Sequence, residues 1–167
     1  YAVVAPIGSG ATARVYLAND RVLHRRVALK VLHAAAASDA KYVDRFRSEA
    51  MLVAQLAHPH IMHVFDAVMD EERPFLVLEF LGGGSLRSLL DAGERLSVSQ
   101  ALEVGLGAAK ALNYANERGF IHRDIKPANL LFGEEGRLRV ADFGMERALA
   151  EASWTEPEGM MLGTAKY

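Results

Sequence analysis

With 167 residues and 51% apolar side chains, this chain can bury a core and is expected to fold rather than stay disordered. Its 19 lysines and arginines nearly balance 21 acidic residues, a formal charge of −2, which leaves no electrostatic footprint for nucleic acid. The absence of cysteine excludes disulfides, thiolate zinc sites and a cysteine nucleophile, while no apolar run reaches the roughly 18 residues of a membrane span.

The first 32 residues alternate apolar and turn-forming stretches, the pattern of a small antiparallel sheet. Residues 1–7 lead into Gly8-Ser9-Gly10 and carry no charged leader of the signal-peptide kind. Residues 15–18 resume the sheet, Asn19-Asp20 turns, and residues 27–31 form the third strand. The alanine run 34–37 reads as the lead-in to a helix. In that helix Val43, Phe46, Ala50, Val53 and Ala57 recur at three- and four-residue steps and share one apolar face. His58-Pro59 is expected to end it, because the residue before proline is pushed out of the helical region. Residues 61–68 and 75–80 complete five strands. Gly82-Gly83-Gly84 then either separates two lobes or makes an ordinary loop, and Ser85 caps a short helix ending near Leu90.

Ser97 or Ser99 starts a long helix with Val98, Leu102, Gly105, Ala109, Leu112 and Ala115 on one face, and Gly119 suits its left-handed end. Residues 130–132 and 138–140 flank Gly133-Glu134-Glu135-Gly136 as a hairpin.

Between that helix and the hairpin lies His122-Arg123-Asp124-Ile125-Lys126-Pro127-Ala128-Asn129, followed by Asp142-Phe143-Gly144. A carboxylate, a lysine and an amide fall within six residues, and a second carboxylate follows thirteen residues after the amide. Phosphoryl transfer needs such a set: a group to orient the attacking hydroxyl, a cation for the moving phosphoryl, and oxygen ligands for magnesium. The glycine-rich turn at Ile7, Gly8, Ser9 and Gly10 lets backbone N–H groups approach phosphate oxygens. Alone it is weak evidence, and a strand rather than a helix follows it, unlike a dinucleotide fingerprint. Lys30 sits on a core-facing strand, where a lone ammonium is costly, and Glu49 near the apolar helix face offers a counter-charge. Without the motifs downstream, two unrelated surface charges would be the better reading of this pair. His58, His60 and His63 could in principle hold zinc, against the plainer reading of a helix-to-strand connection.

Taken in order from Ile7 to Tyr167, these motifs resemble the N-terminal part of a eukaryotic-like serine/threonine protein kinase of the kind common in bacteria. The resemblance implies an α+β, two-lobed fold: residues 1–81 as an N-terminal lobe with a five-stranded antiparallel sheet and one helix, residues 82–167 as part of a helical C-terminal lobe, and ATP in the cleft between them. It implies that Lys30 holds the ATP α- and β-phosphates and pairs with Glu49. Asp124 would orient or accept the substrate hydroxyl proton, Lys126 would neutralise charge on the γ-phosphoryl, and Asn129 and Asp142 would hold two Mg2+ ions. Glu79 and Leu81 resemble the hinge that bonds adenine, Leu78 the residue controlling access behind it, and Val15, Ala28 and Leu131 the side chains that sandwich the ring. For these apolar residues plain core packing predicts the same burial. Lys126 within Asp-Ile-Lys-Pro-Ala-Asn matches the serine/threonine form.

Some positions depart from the pattern. Ala13 stands where many kinases carry a third glycine, and Glu146 where a small residue is usual. Residues 163–167 resemble the end of the activation segment, so the chain, which lacks an initial methionine, is expected to be a piece of a longer protein. Arg123 before Asp124 resembles kinases switched by activation-loop phosphorylation; Ser153 and Thr155 are candidate acceptors, with Arg123 and Arg147 as partners for the phosphate, and Thr164 more a contact for the catalytic loop. The implied partners are protein substrates and a second copy for trans-phosphorylation, without nucleic acid or membrane contact in this segment. A cytoplasmic location is expected, with a membrane span beyond these residues left open. The competing readings are a non-catalytic binding module, disfavoured by the full set Lys30, Glu49, Asp124, Asn129 and Asp142, and a small-molecule kinase, disfavoured by Lys126-Pro127 and Gly163-Thr164.

Overall fold

A computed structural model describes residues 1–70 and 73–143, apart from the side chains of Arg45 and Glu49. Gly144, Glu146, Arg147, Ser153, Thr155 and Thr164, and the Glu49 carboxylate, therefore lie outside what is described. The chain divides into two compact units. Tyr1–Gln55 with Met62–Leu81 forms the first; Leu56–Ile61 with the chain from Gly82 onward forms the second.

The first unit is built on a five-stranded antiparallel sheet in the order β1-β2-β3-β5-β4, from β1 (Ala2–Ser9), β2 (Ala13–Asp20), β3 (Arg25–Leu32), β4 (Val64–Val68) and β5 (Phe75–Glu79). The β-branched and leucine-rich runs of β3 and β5 bury both faces, as central strands do. Ala18, Val27, Leu29 and Val77 pack together on one face, with Tyr16, Val31 and Phe75 around them. Full burial of a side chain such as Val77 contributes about 1.5–3 kcal/mol. The turn from β2 to β3 falls after Asp20 rather than at Asn19-Asp20: the Asp20 carboxylate accepts the N–H groups of Val22 and Leu23, both at 3.0 Å. Those two donors, with Arg25 at 3.8 Å, hold its carboxyl below the usual range although burial opposes them.

After β3 the alanine run forms its own single turn, α1 (Ala34–Ala37), and Asp39 restarts the helix as α2 (Ala40–Val53) by accepting the Lys41 N–H at 2.9 Å. Phe46, Ala50 and Val53 are buried, as their spacing predicts. The helix stops at Val53, however, before His58-Pro59, and Ala57 is exposed while Leu56 is buried. Residues 61–63 are likewise not strand: Ile61 makes an isolated bridge to Val140, and β4 begins only at Val64.

The second unit contains α3 (Leu86–Asp91), α4 (Val98–Asn116), a single 3-10 turn at Pro127–Asn129, and the hairpin β6 (Leu130–Phe132) and β7 (Leu138–Val140). Both helices start with reciprocal capping boxes, Ser85 with Ser88 and Ser97 with Gln100. Three residues past the end of α4, Gly119 turns the chain with φ 78°, a left-handed value that costs glycine little. The buried face of α4 coincides with the expected one at Ala115 but otherwise differs. Gly107, Ala111 and Ala115 face inward, whereas Val98 and Leu102 are 78% and 68% exposed. Gly107 explains the choice: a Cβ there would lie 3.1 Å from the His60 ring, so the small-residue side is the one that admits close packing.

Candidate active site

In the first unit, strand register collects the expected nucleotide-site residues. Val15 pairs with Lys30, Leu17 with Ala28, Ala28 with Leu78 and Lys30 with Leu76. Residues two apart on a strand share a face, as do directly paired residues, so Val15, Ala28, Lys30 and Leu78 lie on one face of the sheet. This face is opposite the Ala18, Val27, Leu29 and Val77 cluster. Gly8 joins it by pairing with Val15. Lys30 is only 8% exposed.

The glycine-rich turn is a hairpin. Gly10 N–H donates to Ala13 O at 2.9 Å, and a ring nitrogen of His33 meets Gly10 O at 3.1 Å. His33 is a support that the sequence did not signal. Neither Gly8 nor Gly10 has a positive φ, and a Cβ on either would meet nothing closer than 3.8 Å and 3.7 Å. The fold therefore tolerates side chains there, and neither backbone angle nor packing requires glycine. Ile7 is 49% exposed at the end of β1, and Ser9 is exposed. At the far end of the sheet, Glu79 N–H donates to His63 O at 2.9 Å, and the Glu79 carboxylate accepts the His63 N–H at 3.2 Å. Leu81 closes this unit, half-buried.

The second unit holds the acid, lysine and amide. Asp124 is a hub. Lys126 Nζ lies 2.6 Å from Asp124 Oδ2, and Asn129 Nδ2 donates to both that oxygen at 3.1 Å and the Asp124 carbonyl at 2.9 Å. Pro127 at the first position of the 3-10 turn pre-sets the bend that returns Asn129 to Asp124. Asn129 is buried, and Ala141 N–H donates to its backbone carbonyl at 2.9 Å, which brings Asp142 beside the same loop. Leu131 sits on β6, half-buried, with Ser85 bridged to it.

His122 fastens the two halves of this arrangement. Its buried ring donates from Nε2 to Ala141 O at 2.9 Å, accepts the Asp124 N–H on Nδ1 at 3.2 Å, and stacks edge-on against Phe143 at 4.5 Å. Burial pushes its pKa down, against the Ala141 carbonyl and the nearby carboxylates of Asp124 and Asp142. The neutral ring with hydrogen on Nε2 satisfies both bonds, which makes it a support rather than a base.

Arg123 and Asp142 adopt φ 64° and 57°, left-handed values that are uncommon for side-chain-bearing residues. Such strain, about 1–3 kcal/mol each, concentrates at working sites. The histidine cluster does not converge: among the described residues no three His, Asp or Glu side chains meet as a metal site. Nor is any described helix long and apolar enough to cross a membrane.

The oxygen donors suit a hard cation. Asn129 uses its amide nitrogen on Asp124, which leaves the amide oxygen available, and Asp142 supplies a carboxylate one residue beyond Ala141.

Proteins similar to this chain are known. The chain is 42% identical, over its full length, to the serine/threonine-protein kinase PknL of Mycobacterium bovis, of which it covers 42%. It is 40% identical over 96% of its length to a probable serine/threonine-protein kinase of Streptomyces coelicolor, covering 25% of that protein, and 38% identical to PknB of Mycobacterium leprae, covering 26%. It thus spans between a quarter and about two fifths of these relatives. The crystal structure of the Mycobacterium tuberculosis PknI kinase domain superimposes with a TM-score of 0.71 at 34% identity, over 86% of this chain and 58% of that one. Glycine turn, buried lysine, Asp124 hub and Asp142 all fall inside the match to the protein kinase domain model, which runs over residues 1–167, and the chain belongs to that family.

Proposed function

We propose that the protein of which these residues are part transfers the γ-phosphoryl group of ATP to serine or threonine hydroxyls of proteins. The observation that carries this reading is the Asp124 hub, a carboxylate held by Lys126 and Asn129 and tied through His122 to the segment bearing Asp142. In it Asp124 orients the acceptor hydroxyl and takes its proton as the oxygen–phosphorus bond forms. Lys126, within reach of the same carboxylate, places positive charge where the phosphoryl group moves. Asn129 and Asp142 are the residues to hold Mg2+, which when bound neutralises phosphate charge. Lys30 pairs with the ATP phosphates and with Glu49; Ile7, Gly8, Ser9 and Gly10 cover the phosphates; Val15, Ala28 and Leu131 enclose adenine; Glu79 and Leu81 bond its edge.

Regulation by phosphorylation of the segment containing Ser153 and Thr155, in trans from a second copy, belongs to the same reading, as does a cytoplasmic kinase domain. Its support is Arg123 beside Asp124 and the similarity to PknL and PknB, both serine/threonine-protein kinases. The test is Asp124→Asn in the intact protein, assayed for phosphate transfer to a generic protein substrate and for Mg-ATP binding. Turnover should fall about 10²–10⁴-fold with nucleotide binding retained. Near-normal turnover would remove Asp124 from the role.

A further inference from the structure

The six residues Leu56–Ile61 belong to the second unit although the chain on both sides of them belongs to the first. Four contacts fasten them. Val140 N–H donates to His60 O at 2.8 Å, and Ile61 bridges Val140 in parallel register. His60 Nδ1 meets Leu138 O at 3.0 Å. The His58 ring stacks on Tyr114 of α4, with centroids 5.0 Å apart and planes 31° apart, while the Arg118 guanidinium lies 3.7 Å from the same tyrosine ring.

The folded arrangement favours the neutral form of His58. Its Nδ1 accepts the His60 N–H at 3.1 Å, so the neutral ring carries hydrogen on Nε2. A second proton must go on Nδ1, where it would point at that N–H and break the bond. The groups around the ring oppose the extra charge as well. Lys110 and Arg118 on α4, with the His60 ring 5.7 Å away, oppose a positive charge on His58, whose other ring neighbour is Tyr114. Glu117, the acid lining the same open cavity of about 470 Å³, is bonded to Asn113 Nδ2 at 2.9 Å. From β7 the contact is the Leu138 carbonyl, directed at His60.

We propose that His58 is a pH-responsive latch, holding the Leu56–Ile61 segment against α4 and β7 when its imidazole is neutral and releasing it when the ring is protonated. Burial first, then His60, Lys110 and Arg118, set its pKa below the ordinary imidazole value. The folded segment therefore binds fewer protons than the released one, so release becomes easier as pH falls through and below the usual range for histidine.

Hydrogen exchange of the intact protein, corrected for intrinsic rates, tests this between pH 7.5 and 5.5. Opening of residues 56–61 and 138–140 should rise by up to about tenfold per unit of pH, while β2 and β3 remain protected. His58→Asn offers a side-chain oxygen to the same N–H without a titrating ring, so its opening should be independent of pH over this range. Opening equally pH-dependent in that variant, or abolished only by His60→Asn, would overturn the proposal. Proton NMR of the unmodified protein gives a second measure: a His58 midpoint at or above the ordinary imidazole value would also overturn it.

Discussion

Gly83, between β5 and α3, is a described position where adding a single methyl group should be costly. Its N–H donates to Phe132 O at 2.9 Å, so two backbone segments already lie in contact. A Cβ on Gly83 would stand 2.7 Å from Gly133 O and 2.9 Å from both Phe132 Cβ and Phe132 O. Two of these are backbone oxygens and the third is fixed to the backbone, so none can rotate aside. Overpacking at such a site costs about 1–3 kcal/mol. Separating the segments to relieve it stretches the Gly83–Phe132 hydrogen bond, worth roughly 1 kcal/mol more. Gly83→Ala should therefore lose about 2–4 kcal/mol, a drop of roughly 4–16 °C in Tm if the domain has 150–250 residues. Gly10→Ala is the control, since its Cβ would meet nothing nearer than Ala13 O at 3.7 Å and its φ is not positive. Urea titration of the intact protein, with a shared m-value, measures both. If Gly83→Ala falls within about 0.5 kcal/mol of the unmodified protein, the packing argument fails.

Gly8→Ala combined with Gly10→Ala should leave the urea midpoint nearly unchanged yet weaken Mg-ATP binding about tenfold or more, read by calorimetry; unchanged affinity would remove the phosphate-approach explanation for these glycines. Ser97→Ala removes the acceptor for Gln100 N–H and half of the capping box at α4, which should cost about 1 kcal/mol in urea unfolding. His122, whose pKa is lowered chiefly by burial, takes up a proton more readily unfolded than folded. Stability should thus hold above pH 6.5 or so and decline toward pH 5, with a shallower decline for His122→Asn, as read from urea midpoints across that range.

Much of this was legible because the relevant chemistry is local. Ser85 and Ser97 announce their helices through side chains that reach only three residues ahead. Five strands were visible from alternation and turn residues, and the short spacing of Asp124, Lys126 and Asn129 agrees with their contacts, Lys126 and Asn129 both meeting the Asp124 carboxylate. What failed depended on distant partners. The α4 face was misread because leucine and valine outweigh glycine and alanine in any periodicity count, whereas close packing against His60 and Leu138 selects the side with Gly107 and Ala111. Ile61 looks like strand by composition, yet its partner is Val140, 79 residues away. The bonds from His122 to Ala141 and from His33 to Gly10 span 19 and 23 residues and leave no pattern in the sequence.

The excursion of Leu56–Ile61 into the second unit has a consequence for how the molecule comes apart. A piece ending at Leu81 would display Leu56 and Ile61, 2% and 0% exposed here, without the strand that Ile61 pairs with. During synthesis these residues emerge long before Val140, so the first sheet can close while its inserted segment still waits for a partner. Neither unit is one uninterrupted stretch of chain, and disrupting Val140 should be felt on both sides of the interleaved segment.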